Sequence, residues 1–320
     1  MSPCTTTIKA AYEAYLAAQQ GKSEAHQQAV KSRVGKFVLS FGGDRLLTDV
    51  TPKDATADLE RRTYDPADPK TKTSYNGHLG YVKTFMEWCA APEQAFIKEN
   101  PIACMKPKVK EWRAPEYMSA ADAERLFRAL EAHKADAPAD LADAILSFFC
   151  GMRQAEIARV REGDDAVRIS LENRNIRVIK CKGALKGIKP RSFTIPDVAL
   201  AWMRSFDFKA AVKQPNDRFR QHLCAIAKEA GVKLPGNAGR HTFITMHSAA
   251  FHDQNLLTSI AGNSPDVRAN NYDGLTFEDE GKAYFAIMPK NFSDPSCKPA
   301  EDCAIISASS TNGSDKPPGD

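Results

Sequence analysis

Four short stretches of this 320-residue chain carry side chains suited to a phosphate. They are Gly151-Met152-Arg153-Gln154-Ala155-Glu156-Ile157, a lysine-rich tract around Lys182, Asn237-Ala238-Gly239-Arg240-His241-Thr242-Phe243, and Ala261-Gly262-Asn263-Ser264 followed by Tyr272. Guanidinium groups are planar, permanently charged forks that match phosphate oxygens two at a time, whereas an ammonium acts as a point charge. A tyrosine phenol can act as a nucleophile and form a covalent intermediate. Taken one at a time, each residue also has a plain structural reading. Arg153 would suit a helix surface, Tyr272 would suit a core, and Lys182 has Lys180, Lys186 and Lys189 as equivalent neighbours.

The charge pattern points the same way. The formal net charge is only +4, yet residues 151–240 hold 19 Lys and Arg against 9 Asp and Glu, a local +10, while the rest of the chain sums to −6. A polyanion needs this asymmetry, because neutralising phosphates supplies most non-specific affinity. The eight cysteines form no C-x-x-C pair and read as reduced structural thiols. His222, His247 and His252 have no partners at metal-ligand spacing and read as structural, so neither metal nor cofactor is expected. No run approaches the roughly 18 apolar residues of a membrane span, and Met1-Ser2-Pro3-Cys4 does not open a signal peptide, so a cytoplasmic protein is expected.

The elements that must position these side chains are mostly helical. Ile8, Ala11, Tyr12, Tyr15 and Leu16 share one helical face, a second helix spans 25–41 before Gly42-Gly43, and Thr51-Pro52 opens a short third. A fourth helix spans 73–90 and carries Tyr81, Phe85 and Trp88. Beyond Asn100-Pro101, the run Lys106-Pro107-Lys108-Val109-Lys110 reads as an extended linker. Ser119 then caps a helix with an acidic first turn, and another helix covers about 140–150. Val167, Ile169, Ile176, Val178 and Ile179 fit short strands, 180–187 a hairpin-like turn, and Ser192 to Ile195 a strand stopped by Pro196. Helices resume near Asp197 and continue to Met288. The expected organisation is a helical N-terminal domain (1–105), a linker (106–117), a second domain (118–290) and a disordered tail (291–320). The fold class is mainly α with a small antiparallel β-sheet.

In order and spacing the four stretches resemble the catalytic domain of the tyrosine recombinase (phage integrase) family. There a G-L-R-x-x-E-like turn supplies one arginine, a β-hairpin a lysine, and an H-x-L-R-H-T-like helix start a second arginine. A G-H pair precedes the tyrosine by nine positions, the spacing of Asn263 and Tyr272. The helical N-terminal region is similar to that family's core-binding domain. The resemblance implies a site-specific recombinase or integrase that cuts and rejoins DNA through a 3′-phosphotyrosine on Tyr272, without metal or ATP. Arg153 and Arg240 would then hold the non-bridging oxygens, whose charge grows as the nucleophile approaches, and Lys182 would protonate the departing 5′-oxygen. Glu156 would orient Arg153, and His241 would pack or hydrogen-bond at the same helix start. Arg191 would either contact the DNA backbone or be solvated. The resemblance further implies a C-shaped clamp on double-stranded DNA and a homo-tetramer on two duplexes.

Two positions depart from the family pattern. Asn237 stands where many relatives have His or Lys, and Asn263 where many have His or Trp. Neither amide can shuttle a proton, although each can donate a hydrogen bond to a phosphate oxygen. The competing expectation is therefore an integrase-like DNA-binding module, accessory or regulatory, that no longer cuts.

Overall fold

The computed structural model describes residues 5–111, 114–163, 165–179, 190–262, 275–290 and 292. Among these the chain forms thirteen α-helices and one three-stranded antiparallel sheet. It divides into two compact units, Met1–Trp112 and Arg113–Asp320.

The first unit is all helical: α1 (Ile8–Ala18), α2 (Glu24–Phe41), α3 (Pro52–Thr63) and α4 (Thr71–Ala90). Each of the first three starts on a hydroxyl that accepts an otherwise unpaired amide: Thr7 from Ala10, Ser23 from His26 and Thr51 from Asp54. Pro52 takes the first helical position, where its missing N–H is harmless. Ile8, Val34, Phe37, Leu59, Val82 and Phe85 are wholly buried in one core. The burial of these apolar stripes holds the four helices together, since helices of this length are marginal alone.

The second unit carries α5 (Ala120–Ala132), α6 (Pro138–Phe148), α7 (Gln154–Arg161) and strands β1 (Val167–Ser170), β2 (Asn175–Val178) and β3 (Arg191–Thr194). There follow α8 (Asp197–Arg204), α9 (Phe208–Ala211), α10 (Phe219–Glu229), α11 (Ala238–Phe251), α12 (Gln254–Ala261) and α13 (Glu278–Phe285). The sheet runs β1-β2-β3, with Val167 opposite Val178 and Ile176 opposite Phe193. The hairpin turn expected at 180–187 lies outside the described residues.

Helix α6 is the spine of this unit. Every residue from Ala139 to Phe148 is buried, as befits a segment apolar on nearly all sides. Helix α11 packs on it and is itself buried from Thr242 to Ala250. Helix α13 closes over α11, where Gly281 lies so near Met246 and Ala250 that an added Cβ would stand 2.7 Å from the Met246 carbonyl oxygen. Two buried polar tips secure the same region: Tyr284 Oη donates to the Phe148 carbonyl at 2.6 Å and Trp202 Nε1 to that of Ile287 at 2.7 Å.

Candidate functional site

The first arginine stretch folds as a tight entry into α7. Gly151 takes the left-handed conformation, φ +60°, beneath the Phe243 ring, a place no side chain could share. Arg153 is then the N-cap of α7, and Glu156, three residues on, accepts the Arg153 backbone N–H through Oε2 at 3.0 Å. Glu156 Oε1 also accepts from Arg153 Nη1 at 3.2 Å.

A second guanidinium meets that carboxylate. Arg191, on β3, donates from Nη1 to Oε1 at 3.0 Å and from Nη2 to Oε2 at 2.7 Å. The pair is nearly sealed from solvent, with 8% of the Arg191 side chain and 3% of Glu156 exposed. Burial works to raise the Glu156 pKa, but the hydrogen bonds and charge of Arg191, then those of Arg153, outweigh it and hold the carboxyl below its ordinary range.

The remaining partners of these arginines lie at one place, the C-terminal end of α12. Gly262 ends that helix in the left-handed conformation, φ +61°, its N–H donating to the Thr258 carbonyl at 2.8 Å. The last three carbonyls are taken in sequence by three guanidiniums. Ile260 accepts from Arg191 Nε at 2.9 Å, Ala261 from Arg240 Nη2, and Gly262 from Arg153 Nη2 at 3.1 Å. Unpaired carbonyls and the negative end of the helix dipole both favour cations there. Arg240 stands in the first turn of α11 and also donates through Nη1 to the Gly151 carbonyl, so it ties both glycine turns together.

Arg153, Arg240, Glu156 and Arg191 are therefore one cluster drawn from α7, β3 and α11. His241 is half-buried beside it, and burial followed by the neighbouring Arg240 charge lowers its pKa. Asn237 is the exposed N-cap of α11 with φ +55°, and its side chain makes no capping bond. Lys182, Asn263 and Tyr272 lie outside the described residues. Arg191, which the sequence offered as a DNA-backbone contact or a solvated side chain, points inward here, with Nε, Nη1 and Nη2 all engaged by protein acceptors and 8% of the side chain exposed. The signal for this was period-two alternation: Arg191, Phe193 and Ile195 share one side of the strand, and Phe193 and Ile195 are buried.

A second buried polar group had no clear sequence signal beyond two aspartates in an apolar helix. Asp140 and Asp143 of α6 share the Asn216 amide at 2.9 and 3.0 Å, Arg161 donates to Asp143, and His222 Nδ1 lies 3.2 Å from Asp140. Among the described residues no three His, Cys, Asp or Glu side chains are grouped to hold a metal ion, and no helix is long and apolar enough to cross a membrane.

The chain shares its fold with integrases and site-specific recombinases. A lambda integrase (75–356) dimer bound to a COC′ core site matches with TM-score 0.64 at 14% identity, covering 85% of this chain and 98% of that one. The Tn1549 transposon integrase in complex with transposon right end DNA matches with TM-score 0.61 at 16% identity, covering 87% and 98%. The XerH site-specific recombinase bound to difH substrate matches with TM-score 0.56 at 16% identity, covering 81% and 80%. These likenesses establish the fold. No protein-family model matches the sequence, and no curated protein matches it.

Proposed function

We propose that this protein is a site-specific DNA recombinase of the tyrosine type, cutting and rejoining double-stranded DNA through a covalent 3′-phosphotyrosine on Tyr272. The observation that carries this reading is the convergence of Arg153 and Arg240, 87 positions apart in the chain, on the adjacent carbonyls of Gly262 and Ala261. Asn263 follows immediately and Tyr272 nine positions later. In this reading the two guanidiniums hold the scissile phosphate and stabilise the charge that develops on its oxygens. Lys182 protonates the leaving 5′-oxygen, Asn263 and Asn237 donate hydrogen bonds toward the phosphate, and Glu156 and His241 support the arginines. Bond energy stored in the phosphotyrosine drives rejoining without ATP. The first unit binds the duplex alongside the second, and the working assembly is a homo-tetramer on two duplexes. Phosphate contacts dominate affinity, so DNA binding weakens steeply with salt.

The test is a denaturant-resistant protein–DNA adduct on nicked fragments from the ends of the genetic element that encodes the protein, present in the wild type and lost in Tyr272→Phe. The competing reading, an integrase-like module that binds DNA without cutting, is favoured by the exposed amide of Asn237 where the family pattern places an ionisable group. Retarded DNA with no adduct at any salt or pH would support it.

A further inference from the structure

Burying an arginine is expensive, and a buried ion pair does not by itself repay the desolvation of both partners. The Arg191 and Glu156 pair thus calls for a role other than stability. Arg191 reaches three acceptors in two directions, with its fork on both oxygens of Glu156 and its Nε on the Ile260 carbonyl. Glu156 in turn holds Arg153 by its backbone N–H and by Nη1. The two guanidiniums that face the carboxylate come from different elements, β3 and the start of α7, and the Arg240 bonds to Ala261 and Gly151 close the ring.

We propose that Arg191 is a positioning residue for strand cleavage. It ties the last turn of α12 to Glu156, and so holds Gly262 against Arg153 and Arg240 without touching DNA itself. This rests on the recombinase reading above. The fork geometry makes the role specific to arginine: a lysine in its place keeps the charge opposite Glu156 but cannot reach both the carboxylate and the Ile260 carbonyl. Gly262 supports the same contact, because a Cβ there would lie 3.2 Å from Arg191 Nη1 and 3.3 Å from its Cδ.

The experiment uses the full chain with Arg191→Lys and Arg191→Met, and reads three quantities. These are the adduct-forming rate on saturating nicked DNA, the DNA dissociation constant across a salt series, and amide exchange at residues 258–262 relative to α6 in the DNA-free protein. In Arg191→Lys the adduct rate is expected to fall at least about tenfold, as small misplacements at reacting centres do. DNA affinity and its salt slope stay as in the wild type, and exchange at 258–262 accelerates while α6 does not change. Arg191→Met exaggerates each effect, but it strands Glu156, so the lysine variant decides. A weakened affinity with a salt slope shallower by about one, and exchange unaltered, would make Arg191 a phosphate contact and overturn the proposal. A wild type that binds DNA and forms no adduct would sink the recombinase reading instead. The exchange comparison then still judges Arg191: acceleration keeps it as the tie of α12, and none removes it.

Discussion

Arg191 and Glu156 meet as a buried, two-pronged ion pair, Nη1 to Oε1 at 3.0 Å and Nη2 to Oε2 at 2.7 Å, joining β3 to the first turn of α7. Around this pair three arginines from distant parts of the chain share the end of one helix. Positive charge is thus concentrated against a surface of carbonyls and a single carboxylate, and the geometry of each guanidinium is set by fixed protein acceptors before any ligand arrives.

Glu156→Gln should destabilise the second unit sharply. The amide keeps one acceptor oxygen but turns an NH2 group toward guanidinium donors, leaving two arginines under-compensated in a buried site. Breaking one partner of such a pair costs about 3–5 kcal/mol. Urea unfolding would read this as a lower midpoint, and an unchanged midpoint would mean the carboxylate is not the hub described above.

Arg153→Lys and Arg240→Lys should each lower the adduct-forming rate by about 10²–10³, the loss typical of one donor aimed at developing charge. DNA affinity should change far less. A loss of affinity with the adduct-forming rate on saturating DNA unchanged would assign both side chains to ground-state binding only.

Gly281→Ala should lower stability by about 1–3 kcal/mol, because its Cβ would meet backbone atoms of α11, which cannot swing away as a side chain can. Gly80→Ala is the control. It sits within α4 with nothing within 4 Å of the added methyl, and the swap should be neutral or raise stability by up to about 1 kcal/mol. Thermal unfolding of both variants distinguishes a packing effect from a general intolerance of alanine.

Two buried groups should give the stability a composite pH dependence. His247 lies among the rings of Phe243, Phe251 and Phe285, and burial, opposed in part by Asp253, pushes its pKa down to about 4. The unfolded chain takes up this proton near 6.5 and the folded chain refuses it, so the contribution is full above 6.5. It is lost as pH falls toward 4, by up to about 3 kcal/mol. Asp143 acts in the opposite sense. Burial pushes its pKa up to about 6 despite Arg161 and Asn216, so its contribution is full below 3.8 and is lost as pH rises through 6. His247→Leu should flatten the loss of stability between pH 6.5 and 4, and Asp143→Asn should steepen it. Identical pH slopes in both variants and the wild type would refute the assignment.

Much of this molecule is written locally. Thr7, Ser23, Thr51 and Ser119 mark helix starts through hydroxyls that reach amides three residues away, and such short-range geometry can be read without knowing the rest of the chain. The apolar periodicity that marks helix and strand, the small antiparallel sheet and the order of the arginine stretches are equally legible, because each depends on near neighbours or on spacing along the chain. What packs against Arg191 is not of that kind. Its partners are Glu156, 35 positions before it, and Ile260, 69 positions after it, and they become neighbours only when β3, α7 and α12 close on one another. The same holds for Asp140 and Asp143, whose partners Arg161, Asn216 and His222 come from α7, α10 and the stretch between α9 and α10. Sequence alone determined which residues carry charge and which segments could present them. Only the tertiary structure decided which charges face a buried acceptor, because the cost of leaving a charge unpaired is felt only once water is excluded.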